Sequence, residues 1–141
     1  MEISFLNKVV VITGAAGGIG KAMAKRFILD GAKVILCDLK GAISVANELG
    51  GYGYEFDITN REEVANAMQK IATDFGGIDV LVNNAGINVG PNERKTVESF
   101  SDKWWDSILK VDLDGTYNCS KLAIPYTKEG SSIVNISSIV G

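Results

Sequence analysis

The stretch VVVITGAAGGIGKA, residues 9–22, runs from a block of β-branched residues through a cluster of glycines into a helix-forming tail. The block is too evenly apolar for a strand with one wet face. It fits a strand buried on both sides, as in parallel sheets covered by helices. Gly14, Gly17, Gly18 and Gly20 fall between that strand and the helix start. Glycines there let the backbone turn sharply and approach a pyrophosphate, which meets the free N–H groups and positive dipole of the helix N-terminus. A Walker A loop is excluded: Gly20-Lys21 is followed by Ala22 rather than Ser or Thr, and position 15 is not glycine. The GxGxxG spacing does not match either. The pattern from Thr13 to Gly20 is T-G-x-x-x-G-x-G.

Outward from this turn the chain alternates. KVVVIT (8–13), KVILCD (33–38), YGYEFD (52–57), IDVLVNN (78–84) and SIVNIS (132–137) read as buried strands bounded by Gly, Asp or Asn. IGKAMAKRFILDG (19–31) and REEVANAMQKIATDFGG (61–77) carry helical spacing and stop at Gly31 and Gly76, and a longer helix is expected over about 102–128. The alternation predicts an α/β fold, a Rossmann-like doubly wound parallel sheet. Right-handed crossovers, with a reversal of direction after strand three, give strand order 3-2-1-4-5. That order sets the glycine turn beside the Asn84 turn at the switch point. GPNERKTVESFSD (90–102) is polar and aperiodic, and reads as a surface loop, with room for a short helix, over the carboxyl ends of the strands, where ligands bind.

Asp38 ends the second strand about 20 residues beyond Gly18, the place from which an acid accepts hydrogen bonds from both hydroxyls of an adenosine ribose. A carboxylate there repels a 2′-phosphate. The next residue is Leu39 rather than Arg, and Gly17 rather than a cation precedes Gly18. NAD is therefore the expected cofactor, with Lys40 leaving NADP open.

Bulk properties narrow the rest. With 141 residues, 46% of them apolar, one NAD-binding domain over 1–141 is expected. A net charge of -3 offers no positive field to nucleic acid or an anionic membrane. No apolar run reaches the about 18 residues of a membrane span, and the opening MEISFLNKVVVITG has no signal-peptide pattern. Cys37 and Cys119 lack CxxC spacing and suit reduced thiols in the cytoplasm. Histidine is absent, which removes Ser-His-Asp chemistry, Cys-His chemistry and His-bearing zinc sites; no metal is expected.

TGAAGGIG (13–20), DIT (57–59), NNAG (83–86) and NISS (135–138) occur in the order and with the spacing of four motifs of the short-chain dehydrogenase/reductase family, in its ordinary branch, which the chain resembles over nearly its whole length. The resemblance implies that Thr13, Gly14, Gly17, Gly18, Ile19 and Gly20 form the cofactor loop. Asp57 and Ile58 would then lie by the adenine, and Asn84, Ala85 and Gly86 would support the ribose side. Ser138 resembles the serine that hydrogen-bonds the substrate carbonyl or hydroxyl. The implied reaction interconverts a small-molecule secondary alcohol and ketone by hydride transfer; the alternative is a non-catalytic dinucleotide-binding or oligomerisation piece.

The sequence departs from the family in two places. Asp112, in VDLDGTY, stands where the family has a catalytic asparagine; a carboxylate accepts a hydrogen bond but lacks the amide donor. The family's Tyr-x-x-x-Lys pair follows the serine, and here it does not, so the chain is expected to be the N-terminal portion of a longer enzyme and inactive alone. YNCSK (117–121) has the same spacing but precedes the serine, and reads as a half-buried aromatic and a solvated lysine one turn apart. In the helix over 102–128, Trp104, Ile108, Val111, Gly115, Cys119, Leu122 and Tyr126 form one apolar stripe, which Leu109, Leu113, Tyr117 and Ile124 widen. The expectation is a homo-oligomer formed through this helix.

Overall fold

Every residue of the first strand, β1 (Val9–Thr13), is buried, which makes it the centre of the sheet. The computed structural model describes residues 4–139. Residues 1–3 and 140–141 of the expected domain lie outside the described residues. The elements follow in the order β1, α1 (Gly18–Leu29), β2 (Lys33–Asp38), α2 (Ala42–Leu49), β3 (Tyr52–Glu55), α3 (Arg61–Phe75), β4 (Ile78–Asn83), α4 (Asp102–Ile108), α5 (Thr116–Ala123) and β5 (Thr127–Asn135). The strands are parallel and lie in the order β3-β2-β1-β4-β5, as the alternation predicts.

Alternate side chains of the strands point to opposite faces and build two cores. Val9, Val11, Ile35, Cys37 and Leu81 pack under α3 and α5, against Val64, Met68, Ile71, Cys119 and Ala123. Val10, Ile12, Val34, Leu36 and Val82 pack under α1 and α2, against Ala24 and Ala46. Two covered faces explain why the inner strands show no polar alternation. At the amino edge, buried Asp79 accepts from the Val9 amide at 2.8 Å and from Lys128 Nζ at 3.0 Å, joining β4 to both of its neighbours.

Three segments differ from the sequence reading. Helix α2 has eight residues, too few for apolar spacing to single out, and is bracketed by Gly41 and Gly50, both with left-handed backbone. The helix expected over 102–128 ends sooner and is broken in the middle. A π-helical segment, Leu109–Gly115, separates α4 from α5, and a 3-10 turn at Ile124–Tyr126 closes the run. Pro125 sits in that turn; without an N–H it cannot continue an α-helix. Thr127 and Lys128 therefore belong to β5, which starts earlier than the expected 132. It runs from Thr127 to Ser132 while β4 advances only from Ile78 to Val80, and Gly130 at φ 78° absorbs part of the excess. The loop before α4 carries two 3-10 turns, Pro91–Glu93 and Val97–Ser99.

Among the described residues, no helix is long and apolar enough to cross a membrane.

Candidate functional site

Reversal of strand order between β1 and β4 opens a cleft of about 620 Å³ at the carboxyl ends of the strands. Its lining includes Gly14, Gly17, Gly18, Ile19, Asp38, Asp57, Ile58, Asn84, Ala85 and Gly86, so ten of the residues singled out in the sequence meet in one place. Leu39, Phe56, Ile87 and Val111 complete it. Phe56 and Ile87 were missed because each is an ordinary apolar neighbour of a motif, while Leu39 stands out in the sequence only for its lack of charge and Val111 only as part of the helix stripe. Their signal was adjacency: Phe56 precedes Asp57, Ile87 follows the NNAG turn, and Val111 precedes Asp112.

The glycines divide into two kinds. Gly14 has φ 63°, and a Cβ on it would lie 2.8 Å from Ala85 Cα. A Cβ on Gly20 would overlap the Gly14 carbonyl oxygen and come within 2.7 Å of Asn84 Nδ2. Both positions need glycine because the loop presses against the turn after β4. Gly17 and Gly18 are exposed to the cleft, with nothing within 4 Å of an added Cβ. Gly17 is the N-cap of α1, and no side chain caps the first turn. The early N–H groups of α1 thus have no side-chain cap and lie at the positive end of a helix dipole, as an anion site requires.

Thr13 and Gly20 lie behind the lining rather than in it. Thr13 is buried, and its Oγ1 accepts from the Asn84 and Ala85 amides at 3.0 Å each. Asn84 Nδ2 donates in return to the carbonyls of Thr13 at 3.1 Å and Gly14 at 3.3 Å. This knot ties the exits of β1 and β4 and fixes the loop's height above the sheet.

Asp38 stands at the end of β2 with Oδ2 accepting from the Ala16 amide at 3.0 Å and Oδ1 from the Leu39 amide at 2.8 Å. Each oxygen keeps a second lone pair. Asp57 works locally: Oδ1 accepts from the Thr59 amide and hydroxyl, both at 2.8 Å, and its own N–H donates to Glu63 Oε2 at 2.8 Å. The turn carrying Asp57 and Ile58 is thereby shaped from within.

Asp112 lies in the π-helical segment, where Oδ1 accepts from the Ile87 amide at 2.8 Å and holds the chain just past Gly86. This uses the acceptor capacity that a carboxylate shares with asparagine. Ser138 is exposed on the stretch after β5, at the same edge of the sheet, and is not among the cleft-lining residues. That stretch is anchored where the Ile136 amide donates to the Asn83 carbonyl at 3.0 Å.

Tyr117 and Lys121 lie on the exposed side of α5, outside the cleft lining, with Lys121 Nζ donating to Tyr117 Oη at 3.1 Å. That hydrogen bond and the ammonium charge draw the phenol below its usual range. Both cysteines are buried and unpaired. Burial pushes the Cys37 thiol up strongly and the Cys119 thiol up to about 12.

A glycine turn running into an uncapped helix N-terminus, at the switch point of a parallel sheet and with an acid ending the second strand, defines the dinucleotide-binding class of α/β folds. The chain belongs to the short chain dehydrogenase family, whose sequence profile matches residues 8–141. It is 42% identical over 143 residues to meso-2,3-butanediol dehydrogenase of Serratia marcescens, covering 97% of this chain and 55% of that protein. It is 36% identical over 144 residues to the 3-oxoacyl-[acyl-carrier-protein] reductase FabG of Thermotoga maritima, covering 96% and 57%. Among solved structures, ligand-free aldohexose dehydrogenase of Thermoplasma acidophilum superposes with a TM-score of 0.85 at 41% identity, covering 95% of this chain and 50% of that one. The 3-ketoacyl-(acyl-carrier-protein) reductase of Brucella melitensis complexed with NADH gives 0.88 at 36%, covering 96% and 59%. The chain spans about half the length of the curated relatives it matches.

Proposed function

We propose that residues 1–141 form the NAD-binding domain of an oxidoreductase that interconverts a small-molecule secondary alcohol and ketone. The observation that carries this reading is the pairing, in one cleft, of the open glycine loop with the Asp38 carboxylate. The open faces of Gly17 and Gly18 leave room for a pyrophosphate on the first N–H groups of α1. The spare lone pairs of Asp38 suit the two hydroxyls of an adenosine ribose. Lys and Arg are absent from the described lining: Lys21 is paired with Glu48 at 2.9 Å, and Lys40, two residues after Asp38, does not line the cleft. A 2′-phosphate would meet the Asp38 carboxylate with no Lys or Arg among the cleft-lining residues, which favours NAD over NADP.

When bound, the nicotinamide group supplies the hydride-transfer chemistry. The residues of this chain bind and orient. Asp57 and Ile58 border the adenine end, Asn84, Ala85 and Gly86 the ribose side, and Asp112 fixes the Ile87 wall. Ser138 holds the substrate oxygen by a hydrogen bond. Proton transfer to that oxygen belongs, in the family, to a tyrosine whose pKa of about 10 is lowered by a neighbouring lysine. That pair follows the serine in the family. We therefore expect residues 1–141 alone to bind dinucleotide without turning over substrate. The likeness to relatives named for a 3-oxoacyl group and for butanediol supports a ketone and a secondary alcohol as the reacting groups.

The outer side of the 102–126 helical run exposes Trp105, Leu109, Leu113, Tyr117 and Ile124, while Gly115 and Cys119 are buried. This division favours a homo-oligomer formed through that outer side, the inner stripe being used by the core.

Calorimetric titration with NADH and NADPH tests the cofactor assignment. NADH is expected to bind more tightly, and Asp38→Ala to narrow the gap. Equal affinities in the unmodified chain would sink the role given to Asp38.

A further inference from the structure

Asn118 on α5 is 2% exposed, and both ends of its amide are engaged. Nδ2 donates to the Ile58 carbonyl at 3.0 Å, and Oδ1 accepts from Arg61 Nε at 3.1 Å. A carbonyl only accepts and a guanidinium only donates, so the orientation of the amide is set by its partners. Ile58 lines the cleft, at the end assigned above to the adenine. Three residues before Asn118, Gly115 is buried so close under Ile58 that a Cβ on it would lie 2.5 Å from Ile58 Cδ1. Three residues before that, Asp112 holds the Ile87 amide on the opposite wall. Positions 112, 115 and 118 of one helical run thus grip both sides of the cleft.

The turn on which Ile58 sits depends on such a grip. It leaves the edge strand β3 and enters α3 at Arg61. Its internal bonds, from Asp57 to Thr59 and Glu63, shape it without fixing its place in the fold. The Phe56 amide ties its start to the Asp38 carbonyl at 3.1 Å. Beyond that point, the Asn118 amide links the Ile58 backbone to α5, the helix packed against it.

We propose that Asn118 is a positioning residue for the adenosine end of the dinucleotide, acting through the Ile58 carbonyl and Arg61; this rests on the dinucleotide reading of the cleft. Asn118→Asp keeps the volume and the acceptor for Arg61 but removes the donor to Ile58, while Asn118→Ala removes both. The measurements are NADH binding by fluorescence and displacement of NADH by ADP and by inorganic pyrophosphate, each with the thermal midpoint of the same sample. ADP carries the adenosine, whereas pyrophosphate reports the glycine loop alone. Both variants are expected to bind NADH and ADP about tenfold more weakly, the equivalent of about 1.4 kcal/mol, with pyrophosphate unmoved. If Asn118→Ala does not fold, the aspartate variant carries the comparison. Wild-type affinity for NADH and ADP in the aspartate variant, or an equal loss for all three ligands, would overturn the proposal while leaving the cleft reading intact. Failure of the unmodified chain to bind NADH would remove both.

Discussion

Replacing Gly18 and Gly20 separately by alanine divides binding from packing within one loop. At Gly18 the backbone has φ 51°, so an L side chain carries a left-handed penalty of about 1–2 kcal/mol. No atom stands within 4 Å of the new methyl. The expected loss of Tm is about 4–8 °C. The methyl does, however, occupy cleft space that the proposed pyrophosphate needs. Losing one charge-assisted hydrogen bond to that phosphate costs about 1.5–3 kcal/mol, or about 10- to 150-fold in Kd for NADH. At Gly20 the methyl would overlap the Gly14 carbonyl oxygen and lie 2.9 Å from Ala15 Cα, both backbone atoms that cannot swing away. Overpacking of this kind costs about 1–3 kcal/mol, and it also disturbs the Thr13–Asn84 knot. Thermal denaturation and calorimetric titration of the two variants should therefore give opposite rankings: Gly20→Ala loses more stability, while Gly18→Ala keeps its fold and loses NADH. A Gly18→Ala chain that binds NADH like the wild type would refute the phosphate cradle. An undiminished Tm in Gly20→Ala would refute the packing argument.

Three other outcomes follow from the same structure. Burial works to raise the Asp79 carboxyl, but the Val9 N–H, Lys128 and Lys8 outweigh it and hold it below its ordinary value. Its contribution to stability is therefore present above the unfolded pKa of about 3.9 and is lost as pH falls through the lower folded value; Asp79→Ala should cost about 2 kcal/mol at pH 7 and flatten the acid limb of a urea-denaturation series, and an unchanged acid limb would count against the assignment. Leu113, 62% exposed, lies on the helix side assigned to self-association, so Leu113→Glu should lower the sedimentation coefficient at micromolar concentration, and an unchanged value would exclude that side. Cys37 and Cys119 are buried with raised thiol pKa values, and a thiol reagent at pH 8 should label neither until the protein is unfolded; rapid labelling of the native chain would contradict their burial in the core under α3 and α5.

Fold and site were legible in the sequence to different depths. The strand order followed from alternation and crossover handedness, because buried parallel strands leave a continuous apolar signature. The cleft's polar contacts were legible because glycines and acids at strand ends are rare enough to mark a purpose. Its apolar walls were not: Leu39, Phe56, Ile87 and Val111 look like any core residue until the turns bring them together. Asn118 was invisible for a related reason, since an amide in a helix has no pattern until its partners, Ile58 and Arg61, are seen some 60 residues away. The helix over 102–128 was misjudged at its end because apolar spacing continued past Pro125 to Tyr126, whereas the missing N–H of Pro125 decided where the α-helix stopped.

A crystal structure of the chain soaked with NADH tests the central claim most directly. The account predicts the pyrophosphate on the amides of Gly18, Ile19 and Gly20, the adenosine ribose diol on the Asp38 carboxylate, and the adenine against Ile58. Dinucleotide bound away from the glycine loop, or with its adenosine ribose turned from Asp38, would contradict it.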